Sequence, residues 1–341
     1  IQHWVDNFAQ EDIRVKYYNA QKVPKSIMMT MADNIHAELA AKDVPINMDE
    51  QVLSIESIES WYRVTTNKGS YDAKKLVLAV GRLGVRQFVK LADNIGIEYM
   101  KKNFNTELGI RVEGHYSVLT GIDDVYNDIK LLRSLPNGEE LRSFCQDYRG
   151  YITKCVYNLK GDKTITTLDG HIIGTEKEGG PLSDAFNLAI HYRFPSEEDS
   201  LNDLYRTIGK IRKRGCSLVQ TMSSFMDGTT PDPDAEYQVP FSMPDVEVGD
   251  INAMIPNRIL DPIKEFAHQI DKVLPGFTHP NNSVYAPSFD MGWSKVKLNE
   301  KFHTTAPNVY VGGDVTGHFR GALQACVSGL LISRDILENS K

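Results

Sequence analysis

The residues best suited to chemistry lie near the end of the chain, in Val309-Tyr310-Val311-Gly312-Gly313-Asp314-Val315-Thr316-Gly317, followed by Arg320-Gly321-Ala322-Leu323-Gln324-Ala325. An apolar run leads into two glycines, an aspartate and a third glycine, and then into a segment of helix-forming small residues. Asp314, just past a buried strand, can accept hydrogen bonds from ligand hydroxyl groups. Glycines such as Gly313 let the backbone come close to a pyrophosphate. The amino terminus of the following helix offers free N–H groups and a positive dipole end to an anion. Gly321, Ala322 and Ala325 keep its first turn close to the ligand. An ordinary glycine-rich corner is the competing reading. The ordered occurrence of strand, Gly-Asp, Gly and small-residue helix weighs against it.

Other reactive residue types give weaker signals. Arg111 and Glu113 project from the same face of a strand. They are candidates for substrate binding, or for pairing with each other at a sheet edge. Cys145 is either a redox thiol or a buried, inert cysteine; no partner cysteine is near it in sequence. The four cysteines, Cys145, Cys155, Cys216 and Cys326, form no Cys-x-x-Cys pair. The nine histidines show no His-x-x-x-His pair. Neither pattern suggests a metal site.

The elements that must hold these residues can be read from periodicity. Residues 26–41 read as a helix with Ile27, Met31, Ile35 and Leu39 spaced by four. Residues 52–55 and 61–66 are strand-like, Asn67-Lys68-Gly69 is a turn, and 70–75 is a return strand. Leu76-Val77-Leu78-Ala79-Val80-Gly81 is a continuous apolar run, as in a parallel strand buried on both faces. The middle of the chain shows short strands at 109–112, 150–157, 171–174 and 189–194, a helix at 201–213, and a loop rich in Pro and Asp at 229–244. A helix at 261–274 follows, ending at Pro275-Gly276. The tail is a strand at 308–312, the Gly-Asp loop and a helix from 320 to 337.

Taken together, the tail motif and the stretch Tyr71-Asp72-Ala73-Lys74-Lys75-Leu76-Val77-Leu78-Ala79-Val80-Gly81-Arg82 resemble FAD-dependent oxidoreductases of the glutathione-reductase structural type. In that type the first stretch is a β-hairpin feeding a buried strand that ends in Ala-Thr-Gly beside the cofactor; here Val80 replaces the threonine. Two middle segments narrow the resemblance. Glu107-Leu108-Gly109-Ile110-Arg111-Val112-Glu113 and Leu141-Arg142-Ser143-Phe144-Cys145-Gln146-Asp147-Tyr148-Arg149-Gly150-Tyr151-Ile152 are similar to a group of bacterial NAD(P)/FAD-utilising dehydrogenases. This chain has Arg149-Gly150 where that group has a Gly-Gly pair. The resemblance implies FAD as cofactor, with NAD(P)H as electron donor or acceptor. It implies Asp314 on the ribityl chain, and Gly313, Arg320, Gly321, Ala322 and Leu323 around the pyrophosphate and the flavin pyrimidine edge. It places Ala79, Val80 and Gly81 beside the cofactor and a backbone group of Val52 on the adenine; for Val52, simple core packing is the alternative.

The expected fold is α/β: a Rossmann-like FAD domain of residues 1–104 and 292–341, with a β-rich α+β substrate domain of 105–291 inserted. The isoalloxazine is expected at their junction. The Gly-x-Gly-x-x-Gly fingerprint of the FAD pyrophosphate is absent. We therefore expect about a hundred further residues at the amino terminus, or a second chain, to complete the domain. The expected activity is two-electron transfer through the flavin on a small-molecule substrate. A flavin-dependent RNA-modifying enzyme and a catalytically degenerate scaffold are the alternatives.

Composition limits these readings. The chain has 341 residues, is 41% hydrophobic and 24% charged, and carries a net charge of −7. That balance gives no general attraction for nucleic acid or anionic membranes. The basic run at 210–214 reads as a solvated helix end. No apolar stretch is as long as a membrane span and no signal peptide is seen, so a cytoplasmic protein with reduced thiols is expected.

Overall fold

The computed structural model describes residues 1–17, 25–100, 106–122, 129–159, 163–171, 183–194, 209, 217–243, 245–292 and 295–339. The chain divides into two units. Ile1–Glu38, Thr106–Tyr157 and Ile165–Met291 form the first; Leu39–Asn105, Asn158–Thr164 and Gly292–Lys341 form the second.

The first unit is built on helix α1 (Gln2–Gln10) and strands β1 (Arg14–Tyr17), β6 (Thr106–His115), β7 (Ile129–Ser134), β8 (Glu140–Asp147), β11 (Ala185–Phe194), β12 (Ser217–Thr221), β13 (Val246–Val248) and β14 (Ser283–Met291). The strands make one eight-stranded sheet in the order β1-β7-β8-β11-β6-β14-β12-β13. β12 and β13 pair in parallel, and the other pairs with known register are antiparallel. Alternation along the central strands separates two chemistries. Leu108, Ile110 and Val112 on β6 line up with Leu188, Ile190 and Tyr192 on β11, all buried. The amphipathic helix α5 (Asn257–Val273) packs on β6, β8 and β11 through Ile259, Leu260, Ile263, Phe266, Ala267 and Ile270. Residues of the other parity on β6, namely Glu107, Arg111 and Glu113, are equally buried but polar. A short helix, α4 (Met222–Asp227), follows β12 and is capped by the Thr221 hydroxyl. Strands β9 (Tyr151–Leu159) and β10 (Lys163–His171) pair separately.

The second unit holds a three-stranded antiparallel sheet of β2 (Val52–Ile58), β3 (Trp61–Thr66) and β4 (Ser70–Ala73). It also holds a parallel pair, β5 (Leu76–Leu78) and β15 (Val309–Val311). Helices α3 (Val85–Asn94) and α6 (Ala322–Glu338) belong to this unit. Its core gathers Ile55, Tyr62, Leu76, Phe88, Leu91, Val296, Val309, Val311 and Val315. Asp335 of α6 binds the phenol of Tyr310 (2.9 Å), His303 (2.7 Å) and Lys301 (3.1 Å), tying the helix to β15 and the preceding loop.

Several expectations need correcting. Residues 1–38 group with the first unit, not with 39–104, because β1 pairs with β7, more than a hundred residues away. Helix α2 (Lys25–Ala41) forms where periodicity placed it, but Ile27, Met31 and Ile35 are 50%, 44% and 57% exposed, so that face is not core. The run at 76–80 is a strand only through Leu78. Val77 and Val80 are exposed, so it is not buried on both faces: only Leu76 and Leu78 meet the unit's core. Strand β6 lies in the interior of the sheet, which overturns the idea that Arg111 and Glu113 sit at an edge. The helix at 201–213 and the basic run at 210–214 lie outside the described residues apart from Gly209.

Candidate functional site

Two neighbouring parallel strands in the second unit end side by side. β15 pairs with β5 in register, Val309 with Leu76 through Val311 with Leu78. Both carboxyl ends run into loops: Ala79-Val80-Gly81 after β5 and Gly312-Gly313-Asp314 after β15. The carboxyl ends of parallel strands are where α/β proteins place ligands, because backbone N–H groups and helix amino termini converge there. The Gly312 amide donates to Leu78 O at 3.1 Å, holding the two loops together. Gly313 has φ 72 and ψ −156, a conformation open essentially to glycine alone. Its amide donates to Ser328 Oγ at 2.8 Å, pinning the loop to α6. An added Cβ there would meet Ala325 Cβ at 3.6 Å, so the small residue on the helix permits the close approach.

Asp314 opens a 3-10 turn, Asp314–Thr316, and is half-buried. Thr316 Oγ1 donates to Gly313 O at 2.7 Å and closes the turn. Helix α6 then begins at Ala322, with Gly321 as its N-cap at φ 118 and ψ 151 and no side-chain cap bond. Arg320, Gly321, Ala322 and Leu323 are all exposed. The helix therefore presents unfilled N–H groups and its positive dipole end beside the Gly313–Asp314 loop. A site of glycine backbone, a carboxylate and an uncapped helix end suits a ligand carrying both phosphate and hydroxyl groups. The observed helix starts two residues later than the sequence suggests, which leaves Arg320 on the approach to the helix.

Val52 starts β2. Its carbonyl accepts from Gln87 Nε2 at 2.9 Å and its side chain packs on the unit's core, so the structure gives it a packing role.

The second polar assembly lies in the first unit, on the sheet face opposite α5. At one end, Glu107 accepts from Arg142 Nε (2.6 Å), Arg193 Nε (2.9 Å) and the His191 ring (3.2 Å). Gly109 lies between His191 and Ser288 in register, and with no side chain there His191 Nε2 reaches Ser288 Oγ at 2.8 Å. The Phe144 ring stacks on His191 at 5.1 Å, and the Arg142 guanidinium lies over that ring at 4.7 Å. At the other end, Arg111 donates from Nη1 to Cys145 O (2.9 Å) and Asn187 Oδ1 (2.5 Å), while Tyr285 donates to Glu113 at 2.5 Å. Cys145 and Arg111 thus meet through the cysteine carbonyl; Cys145 is held at φ 44. Sequence reasoning singled out Arg111 and Cys145 but missed Asn187, His191 and Tyr285. Their strands are distant in sequence, and only the sheet pairing brings them together.

Among the described residues, no group of three or more His, Cys, Asp or Glu is placed to hold a metal ion. No helix among them is long and apolar enough to cross a membrane.

No protein-family model matches the chain, and no curated protein matches it. Solved structures do match over most of its length at low identity. Native FqzB is 9% identical at a TM-score of 0.33, covering 88% of this chain and 49% of that one. A glycine oxidase from Geobacillus kaustophilus is 11% identical at 0.30, covering 84% and 48%. CtdE in complex with FAD is 6% identical at 0.27, covering 83% and 52%. The chain spans about half the length of these structures.

Proposed function

We propose that the protein is a FAD-dependent oxidoreductase acting on a small molecule. The observation that carries this reading is the loop Gly312-Gly313-Asp314, at the joined ends of β5 and β15, beside the uncapped, small-residue amino terminus of α6. In this reading the N–H groups of the first turn of α6 hold anionic parts of the cofactor, and the side-chain-free Gly313 lets it approach the loop. Asp314 accepts hydrogen bonds from ribityl hydroxyls, and Arg320 adds positive charge near the pyrimidine edge. Ala79, Val80 and Gly81 offer backbone from the adjacent loop. Bound flavin would supply two-electron transfer through its N5 atom.

The same reading has a parallel strand and its helix, from further chain or from a second chain, covering the apolar surface of this unit. Val77, Val80, Leu323, Val327 and Leu330 are 42–73% exposed, whereas parallel strands normally have both faces covered. NADH or NADPH as electron partner belongs to the proposal too.

The visible spectrum of the purified protein tests it. Flavin bands near 370 and 450 nm (roughly, from general flavin chemistry) are expected; a colourless protein that takes up no added FAD overturns the reading and favours a scaffold. Asp314→Ala is expected to fold and to lose about 1.5–3 kcal/mol of flavin affinity, as for a charged hydrogen bond. Anaerobic bleaching by NADH or NADPH then identifies the electron donor.

A further inference from the structure

Asn187 on β11, Glu113 on β6 and Ser283 on β14 stand side by side in register on the polar face of the first unit's sheet. All three are buried, with Asn187 and Glu113 wholly out of contact with solvent. Directly opposed residues on antiparallel neighbours have their Cβ atoms about 5 Å apart. Glu113 Oε2 accepts from the Tyr285 phenol (2.5 Å) and from the Ser242 amide (3.3 Å). Its other oxygen, Oε1, has no hydrogen-bond partner among the described residues, and neither has Asn187 Nδ2. The hydroxyl of Tyr237, buried on the same side, is in the same position. Proteins satisfy nearly all buried polar groups with protein, water or ligand, so a cluster of such atoms marks a place where something else binds.

The partners fix what that is. Oε2 already receives two donors, so a proton on Glu113 sits on Oε1 and makes it a donor. Burial raises the pKa of this carboxyl and favours that protonated form. Asn187 Oδ1 is occupied by Arg111, which leaves its amide nitrogen as a second donor. Two donors on adjacent strands call for one acceptor. Apart from Arg111, the surroundings include an apolar and aromatic cluster: Ile152, Val219, Met243 and Tyr285 with Tyr237 and Phe241. The Phe241 ring lies 4.6 Å from Tyr237 and 6.1 Å from Tyr285. Arg111, buried on the same face, is the cation of this end: its charge acts on Glu113 and its Nη1 binds Asn187, so a carboxylate ligand would compete with Glu113 for it and add a second buried acid, at a high desolvation cost.

We propose that Glu113 and Asn187 form a buried subsite for the carbonyl oxygen of a small, uncharged, ring-bearing compound, with Glu113 Oε1 and Asn187 Nδ2 both donating to it. The subsite is built entirely within the first unit and stands whether or not the second unit holds flavin.

The probe is para-dimethylaminoacetophenone, whose absorption band moves to the red when its carbonyl accepts hydrogen bonds. Difference spectra of the full chain are expected to show saturable binding with a red shift. Asn187→Ser, which shortens the donor out of reach, is expected to weaken binding about tenfold, the effect of roughly one net hydrogen bond. Glu113→Gln keeps a donor but not an acidic one, and is expected to reduce the red shift. The wild-type chain alone supplies a second readout that needs no variant. An infrared band of an un-ionised carboxylic acid should persist at neutral pH and shift when the ketone is added. Absence of binding up to the solubility limit overturns the proposal, as does a red shift that both variants leave unchanged. An acid band that is missing or indifferent to the ketone also overturns it, and ordered water would then fill the site.

Discussion

Glu107 and Glu113 stand on the same face of one strand, both buried, yet they are opposite kinds of acid. At Glu107 burial pushes the carboxyl pKa up, but the His191 hydrogen bond and the charges of Arg142 and Arg193 outweigh it and hold the group below its ordinary value. At Glu113 burial wins over the hydrogen bonds from Ser242 and Tyr285 and the charge of Arg111, and the pKa rises. The difference lies in direct ionic contact and not in depth. Two arginines with partial access to water bind Glu107 directly, while the direct hydrogen bonds at Glu113 come from a phenol and an amide. His191, wholly buried, has its pKa lowered by desolvation and serves the network as a neutral ring. The Glu107 end is thus a satisfied ionic lock, and at the Glu113 end the carboxyl has no direct ionic bond and keeps hydrogen-bonding capacity to spare.

The largest effect is expected at the glycine between the two ends. A Cβ on Gly109 would lie 1.8 Å from Ile190 O, a backbone atom that cannot step aside. Gly109→Ala should cost about 3 kcal/mol or more in denaturant unfolding; a variant as stable as wild type would show that β6 and β11 are not held in this register. Next comes Glu107→Gln. Removing one partner of a buried ionic group costs about 3–5 kcal/mol, with the low end expected here because Arg142 and Arg193 keep some contact with water. Glu113→Gln should cost about 1 kcal/mol or less near the acid side of neutrality. Equal losses for the two substitutions would end the distinction between the ionic lock and the Glu113 end.

The pH dependence separates the two acids by sign. Glu107, with its pKa lowered in the fold, contributes stability above the ordinary carboxyl value of 4.5 that is lost as pH falls through its folded value. Glu113, with its pKa raised, does the reverse. The fold binds its proton more tightly than the unfolded chain does, so stability falls as pH climbs from 4.5 towards the folded value. Unfolding measured over a pH series should show Glu107→Gln flattening the acid limb and Glu113→Gln removing the decline above it. An effect of similar size is expected from Tyr285→Phe, which takes one donor from Glu113 at about 1 kcal/mol. It should raise the Glu113 pKa further, because that hydrogen bond lowers it now.

Parts of this arrangement follow from local sequence. Alternation placed Arg111 and Glu113 on one face of a strand, and β6 keeps them there with Ile110 and Val112 turned the other way. The apolar run before Gly312, the small residues after Gly321 and the spacing of Ile263, Phe266 and Ile270 become β15, α6 and α5. These signals depend on contacts within a few residues, or on which face of one element is apolar, and such information is written along the chain. The same rule misjudged α2, whose regular apolar spacing lies on an exposed face, and Val77, whose apolar neighbours did not make it core. Periodicity reports a face without saying what covers it.

Chain-local pattern was therefore enough to set the type of the chief elements, the parity of residues along β6 and the Gly313–Asp314 corner. Only the tertiary structure decided that β6 is interior, that Asn187 and Ser283 flank Glu113, and that His191 and two arginines surround Glu107. Those neighbours come from strands up to 170 residues apart, as with Glu113 and Ser283. A carboxyl group's charge state depends on the groups within a few ångströms of it in space, and their identity is set by strand order and register, which no single stretch of sequence encodes.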